Sequence, residues 1–86
     1  MKESNPIWDY EDDYYFTFVG YIEINIRAYS ENNLHLWMYE HGGDKEIADD
    51  DFSSLALLQL RINEILGAEV TLPKIEDLLK LGEKNV

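Results

Sequence analysis

The chain has 86 residues, 45% of them hydrophobic, no cysteine, and 18 acidic side chains against 7 basic ones, for a formal net charge of −11. That length provides one small domain with little room for an enclosed cofactor cavity. The lack of cysteine excludes a disulfide framework, a thiolate metal site and a cysteine nucleophile, and the charge opposes contact with nucleic acid or an anionic membrane while speeding encounter with basic partners.

The acid is unevenly placed. Residues 1–51 carry 13 acidic and 3 basic side chains, net −10, whereas residues 52–86 carry 5 and 4, net −1. Solubility alone is the plain explanation of such a surplus, but its concentration in one half of the chain makes the position of the acid worth following.

Residues 1–13 mix polar groups with Pro6, Ile7, Trp8 and Tyr10 and close on Glu11, Asp12 and Asp13. They are expected to form an acidic and aromatic arm, loosely held, with Trp8 folding back on a single α+β domain over residues 14–86. The start holds no apolar leader segment, and nowhere do about 18 apolar residues run together as a membrane span requires, so the expected location is the cytoplasm.

From Tyr14 to Ser30 the even positions Tyr14, Phe16, Phe18, Ile22, Ile24, Ile26 and Ala28 are apolar, interrupted by Gly20. Alternation of this kind predicts β structure with the even face buried, either as one strand bent at Gly20 or as two strands joined by a tight loop at Val19, Gly20 and Tyr21. A three-residue loop keeps the parity across the turn. The odd face, with Tyr15, Tyr21 and Tyr29 among its residues, is unusually aromatic for a surface that meets only water.

Ser30, Glu31, Asn32 and Asn33 are turn residues, and Leu34 to His41 read as the next strand. With Asn33 in the left-handed region the loop has three residues, and Ser30 opposes Leu34, Ala28 opposes Leu36 and Ile26 opposes Met38. His35, Trp37 and Tyr39 then share the face of Tyr21, Tyr29 and Arg27. A one-residue slip would move Leu36 and Met38 out of the core.

Beyond Gly42 and Gly43 the run DKEIADDD reads as an acidic loop, with Asp49, Asp50 or Asp51 as N-cap of a helix from Phe52 to Leu66. Phe52, Leu55, Leu58, Ile62, Ile65 and Leu66 form its apolar stripe; Leu57 and Leu60 lie off it and require a second neighbour. Gly67 is a natural stop, and a short second helix is expected from Thr71 to Pro73 onward, ending at Gly82, with Ile75, Leu78 and Leu79 covering Leu57 and Leu60. The expected fold is a two-layer α+β domain: an antiparallel β-meander of two to three strands, one principal helix on its apolar face, and a short C-terminal helix.

No catalytic motif emerges. His35 and His41 lack the close spacing of helical metal motifs, the acidic run lacks the ligand order and central glycine of a calcium loop, and no nucleophile elbow or phosphate-binding glycine loop is present. The expectation is a protein that is not an enzyme and holds no metal or cofactor.

Two constellations point to binding. Trp37, Tyr39, Tyr21, Tyr29 and His35 gather rigid amphipathic rings on one sheet face, the residue types that anchor protein interfaces. Asp12, Asp13, Asp44, Glu46, Asp49, Asp50 and Asp51 supply acid on either side of that patch, suited to steering and pairing with lysines and arginines. The expected function is a non-catalytic inhibitor that occludes a basic, nucleic-acid-handling protein such as a nuclease or nucleic-acid-binding effector. That is the physical type shared by immunity proteins, phage-encoded anti-defence proteins and DNA mimics, and it involves no direct contact with nucleic acid or membrane. The alternative expectation is a homodimeric assembly module that uses the aromatic face.

Overall fold

The computed structural model describes residues 2–40, 42 and 45–84, so His41 and Asp44 lie outside the described residues. The centre of the molecule is the hairpin of β4 (Ile22–Ser30) and β5 (Asn33–Glu40). Their alternating Ile24, Ile26, Ala28 and Leu34, Leu36, Met38 point to one side and are buried, as period-2 patterning demands of a sheet with one covered face.

The register differs from the expected one by two residues: Ala28 opposes Leu34, Ile26 opposes Leu36 and Ile24 opposes Met38, with an irregularity between Ala28 and Ser30. Ser30 opposes Asn33, which leaves only Glu31 and Asn32 in the turn, and the Ser30 hydroxyl accepts from the Asn32 amide at 3.3 Å. Asn33 is not left-handed. An even shift preserves the face, so the core set survives while every cross-strand pair changes partner.

The strand before it, β3 (Tyr14–Val19), pairs with β4 so that Val19 opposes Ile22 and Thr17 opposes Ile24. The loop is therefore the two residues Gly20 and Tyr21, with Gly20 at φ 61°, as expected of a hairpin turn with glycine at its first central position. A two-residue loop inverts the parity. This overturns the assignment of all even positions to the core: Tyr15, Thr17 and Val19 face inward, and Tyr14, Phe16 and Phe18 face outward. Buried Thr17 donates its hydroxyl hydrogen to the Ile7 carbonyl at 2.8 Å, so the inversion leaves its polar group satisfied.

Two further strands, β2 (Asp9–Glu11) and β6 (Glu46–Phe52), complete a five-stranded antiparallel meander, larger than the two to three strands expected, in the order β2-β3-β4-β5-β6. The first lies on the edge beside β3, the second on the edge beside β5. From Glu46 onward the acidic run expected as loop and helix cap is thus strand. Three successive aspartates have poor strand propensity, but pairing to β5 overrides it, and charge is a common feature of exposed sheet edges because it blocks further strand addition.

Helix α1 (Leu55–Leu66) begins three residues later than expected, and Ser54 caps it by accepting from the Leu57 amide at 3.2 Å. Gly67, left-handed at φ 65°, ends it. A short parallel pair, β1 (Lys2–Ser4) and β7 (Ala68–Val70), lies apart from the main sheet. It is tied to α1 because Asn63 Oδ1 accepts from the Val70 amide and Gln59 Nε2 donates to the Val70 carbonyl. Trp8 donates its indole N–H to the Thr71 carbonyl at 2.7 Å and packs against the core.

The final helix, α2 (Ile75–Lys84), packs over β3 and β4, whereas α1 packs over β5 and β6. The helices lie beside each other on the sheet, and α2 does not cover the outer side of α1. Leu57 and Leu60 accordingly remain 48% and 61% exposed, against the expectation that the second helix would bury them. The core between the layers comprises Ile24, Ile26, Leu34, Leu36, Met38, Leu58 and Ile62, all at 0% exposure, each contributing about 1.5–3 kcal/mol by leaving water. Among the described residues no helix is long and apolar enough to cross a membrane.

Candidate binding face on the outer side of the sheet

Both helices lie on one side of the sheet, so the other side is a surface built by five strands in register. Three cross-strand rows organise it. In the middle row Asp9, Phe16, Asn25, Trp37 and Asp49 follow one another across the five strands; in the row above, Glu11 opposes Tyr14 at one edge while Arg27, His35 and Asp51 follow one another toward the other; in the row below, Phe18, Glu23, Tyr39 and Glu46 do so. Read along the strands, the same residues make stripes. Acid lines both edges, aromatic rings line β3 and β5, and the polar residues Glu23, Asn25 and Arg27 run down β4 between the rings.

The aromatic stripe on β3 is continuous, with Tyr14 and Phe16 centroids 6.2 Å apart and Phe16 and Phe18 also 6.2 Å apart, edge to face. Such spacing lies within the favourable range for ring pairs. On β5 the His35 and Trp37 rings are 4.2 Å apart. A depression of about 280 Å³ lies over β4, with Tyr14, Trp37 and Tyr39 as walls and Glu23 and Asn25 as floor. Asn25, 8% exposed, donates from Nδ2 to Glu23 Oε2 at 2.9 Å, which fixes the carboxylate.

Among the described residues, Arg27 and His35 on this face are both engaged by carboxylates. Arg27 Nη1 reaches Asp13 Oδ2 at 2.8 Å, and its guanidinium lies over the Tyr29 ring at 4.4 Å. His35 Nδ1 meets Asp51 Oδ1 at 2.5 Å and Nε2 meets Asp49 Oδ1. With a carboxylate at each ring nitrogen, both nitrogens must donate, which is the bonding of an imidazolium. Burial of the ring works against that charge, but the hydrogen bonds and charges of Asp51 and Asp49 outweigh it and hold the His35 pKa above its ordinary 6.5. Tyr14 is raised above 10.0 by burial and then by Glu11, and Tyr39 by burial and then by Glu46, Asp49 and Glu23. Both phenols therefore stay neutral, and Tyr14 donates its O–H to Glu11 Oε2 at 3.1 Å.

Of the residues singled out from the sequence, Trp37, Tyr39 and His35 share the outer face with Glu46, Asp49 and Asp51, which oppose them on β6. Asp13 joins the face through Arg27. Asp12 sits in the β2–β3 turn at φ 53°. Asp50 opposes Leu36 and lies on the helix side of the edge. Tyr21 is 81% exposed at the tip of the β3–β4 turn, away from the rows, and Tyr29 lies at the irregularity near the end of β4, half-exposed beside Arg27. Tyr15 belongs to the inner side, 6.0 Å from Tyr10.

Sequence reasoning missed Tyr14, Phe16 and Phe18, which form one aromatic stripe of the face, and Asn25 on the floor between the stripes. The signal was available in Gly20-Tyr21: glycine followed by another residue is the signature of a two-residue hairpin loop, and that loop length turns the even positions of β3 outward.

Among the described residues no group of three or more histidine or acidic side chains is arranged to hold a metal ion. What the face offers chemically is recognition: rigid rings, fixed acceptors and a negative rim. Compared with protein-family models, with curated proteins and with solved structures, the chain matches none.

Proposed function

We propose that the protein is a non-catalytic inhibitor that docks its outer sheet face on a basic, nucleic-acid-handling protein and occludes the surface that would meet phosphate. One observation carries this reading: two aromatic stripes lie between two acidic edge strands on a face that the helices leave open. Tyrosine and tryptophan supply contact area with little entropy to lose, while the acid accelerates encounter and selects positive surfaces. Immunity to a nuclease toxin and antagonism of a host defence nuclease both ask for such a face. Self-association through it would bring the acidic edges of two copies together, a like-charge juxtaposition that costs affinity.

The test is capture from lysate with tagged wild type beside Trp37→Ala, followed by a nucleic-acid-binding or cleavage assay on whatever is retained. The expected result is a basic protein held by wild type at least about tenfold better than by the variant, the effect of losing one aromatic anchor, and inhibited on binding. A retained protein that keeps full activity, or one held equally by both forms, would overturn the reading.

A further inference from the structure

We propose that the depression over β4, walled by Tyr14, Trp37 and Tyr39 and floored by Glu23 and Asn25, is a receptor for one arginine side chain of the partner. This rests on the reading above that the outer face docks a basic protein, and it names the group recognised.

Shape comes first. The volume of about 280 Å³ falls just below the roughly 300–1,000 Å³ of small-molecule pockets, which suits a planar head group with part of its stem. Three of the five lining residues are aromatic and offer π-faces or edges, and a cation over such a face is attracted by the ring quadrupole. The chain itself uses this contact where the Arg27 guanidinium lies 4.4 Å from the Tyr29 centroid.

The floor sets the sign of the ligand. A carboxylate only accepts hydrogen bonds and has capacity for about four; the Asn25 amide engages Glu23 Oε2 and holds the group in place. Glu23 is thus matched with an amide rather than a cation, while among the described residues Arg27 is engaged by Asp13, and His35 by Asp49 and Asp51. The walls register the same field, since the Tyr39 hydroxyl is held above its ordinary range by burial and by Glu46, Asp49 and Glu23. A ligand that donates hydrogen bonds and carries positive charge satisfies floor and walls together.

Arginine fits better than lysine for a physical reason. Its guanidinium is planar, weakly hydrated and donates in a fork, so it stacks between rings while meeting a carboxylate, whereas an ammonium is a compact, strongly hydrated charge that loses more water on entry.

The experiment is a two-dimensional amide NMR titration of the intact chain with N-acetyl-arginine amide, beside the lysine analogue and the neutral, isosteric citrulline analogue. The arginine compound is expected to shift the Trp37 indole and Asn25 side-chain amide signals and to leave the Trp8 indole unmoved. Lysine should bind more weakly, and citrulline at least about tenfold more weakly, the worth of a charge-assisted contact. Glu23→Gln, with unchanged dispersion elsewhere as proof of folding, should weaken arginine binding about tenfold. Equal binding of arginine and citrulline, shifts centred away from Trp37, or indifference to Glu23→Gln would overturn the proposal. Applying Glu23→Gln to the capture separates the two readings. A basic partner held undiminished by Glu23→Gln but lost by Trp37→Ala would remove the arginine receptor and leave the inhibitor reading standing. Specific arginine binding with a retained protein that is not inhibited would do the reverse.

Discussion

The two faces of the sheet are built by the same strands, from residues that alternate one by one, yet they are opposite in chemistry. Inward, Ile24, Ile26, Leu34, Leu36 and Met38 are aliphatic and fully buried under two helices. Outward, their immediate neighbours Glu23, Asn25, Arg27, His35, Trp37 and Tyr39 combine rings with charge on the side that neither helix covers. A domain of this size divides its work between the two faces. Aliphatic burial on one face provides the free energy of folding, and that frees the other face to carry groups a core would not tolerate, including a carboxylate fixed by an amide and a histidine held between two aspartates.

Truncating one residue on each face at adjacent positions separates the two roles. Leu36→Ala should destabilise the fold by about 3 kcal/mol, since it empties a fully buried site that rigid strands refill poorly. Trp37→Ala should cost less than half of that in urea unfolding while losing the proposed basic partner. If the tryptophan change costs as much stability as the leucine change, the outer face is part of the core and the division fails.

A smaller effect is expected from the seat of α2 on the inner face. Gly82 lies so close to β4 that an added Cβ would meet the Ala28 carbonyl oxygen at 2.8 Å. Gly82→Ala must lift the helix or bend the strand, and a loss of about 1–2 kcal/mol should appear in thermal unfolding. Unchanged stability would mean that α2 is loosely seated and that the inner layer tolerates movement there.

The smallest of these effects is the pH response of the outer face. His35 has a folded pKa above its ordinary 6.5, so its contribution is fully present below the unfolded value and is lost as pH rises through the folded one. Because Asp49 and Asp51 are partly exposed, water screens the pair and the contribution should be about 1 kcal/mol. Unfolding midpoints measured across that window should fall with rising pH for wild type and stay flatter for His35→Gln. An equal slope in both would assign the response to other groups.

Much of this molecule was legible because its central strands obey simple rules. The period of two in Ile22–Ala28 and Leu34–Met38 is strong enough to identify the core side of β4 and β5, and with it the outward position of His35, Trp37 and Tyr39. Gly67 ends α1 as glycine does when it alone takes the left-handed conformation cheaply. The errors lie where a local rule met a competing one. Asp49–Asp51 have the composition of a cap, but Ser54 provides the cap and the aspartates pair with β5. The apolar positions of β3 have the parity of a core and instead face out, because a two-residue turn reverses every side chain that precedes it.

The α+β class, the helix-covered side of β4 and β5, the aromatic character of the opposite side and the concentration of acid in the first 51 residues were all legible along the chain. Those properties are carried by periodicity and composition, which act along the chain and need no distant partner. Tertiary structure decided the number of strands, the direction in which Tyr14, Phe16 and Phe18 point, the conversion of the acidic run into an edge strand, and the meeting of Glu23 with Trp37, Tyr39 and Tyr14 around one depression. Each of these depends on strand register, and register is set by turn length and cross-strand pairing, where one residue more or less exchanges the two faces.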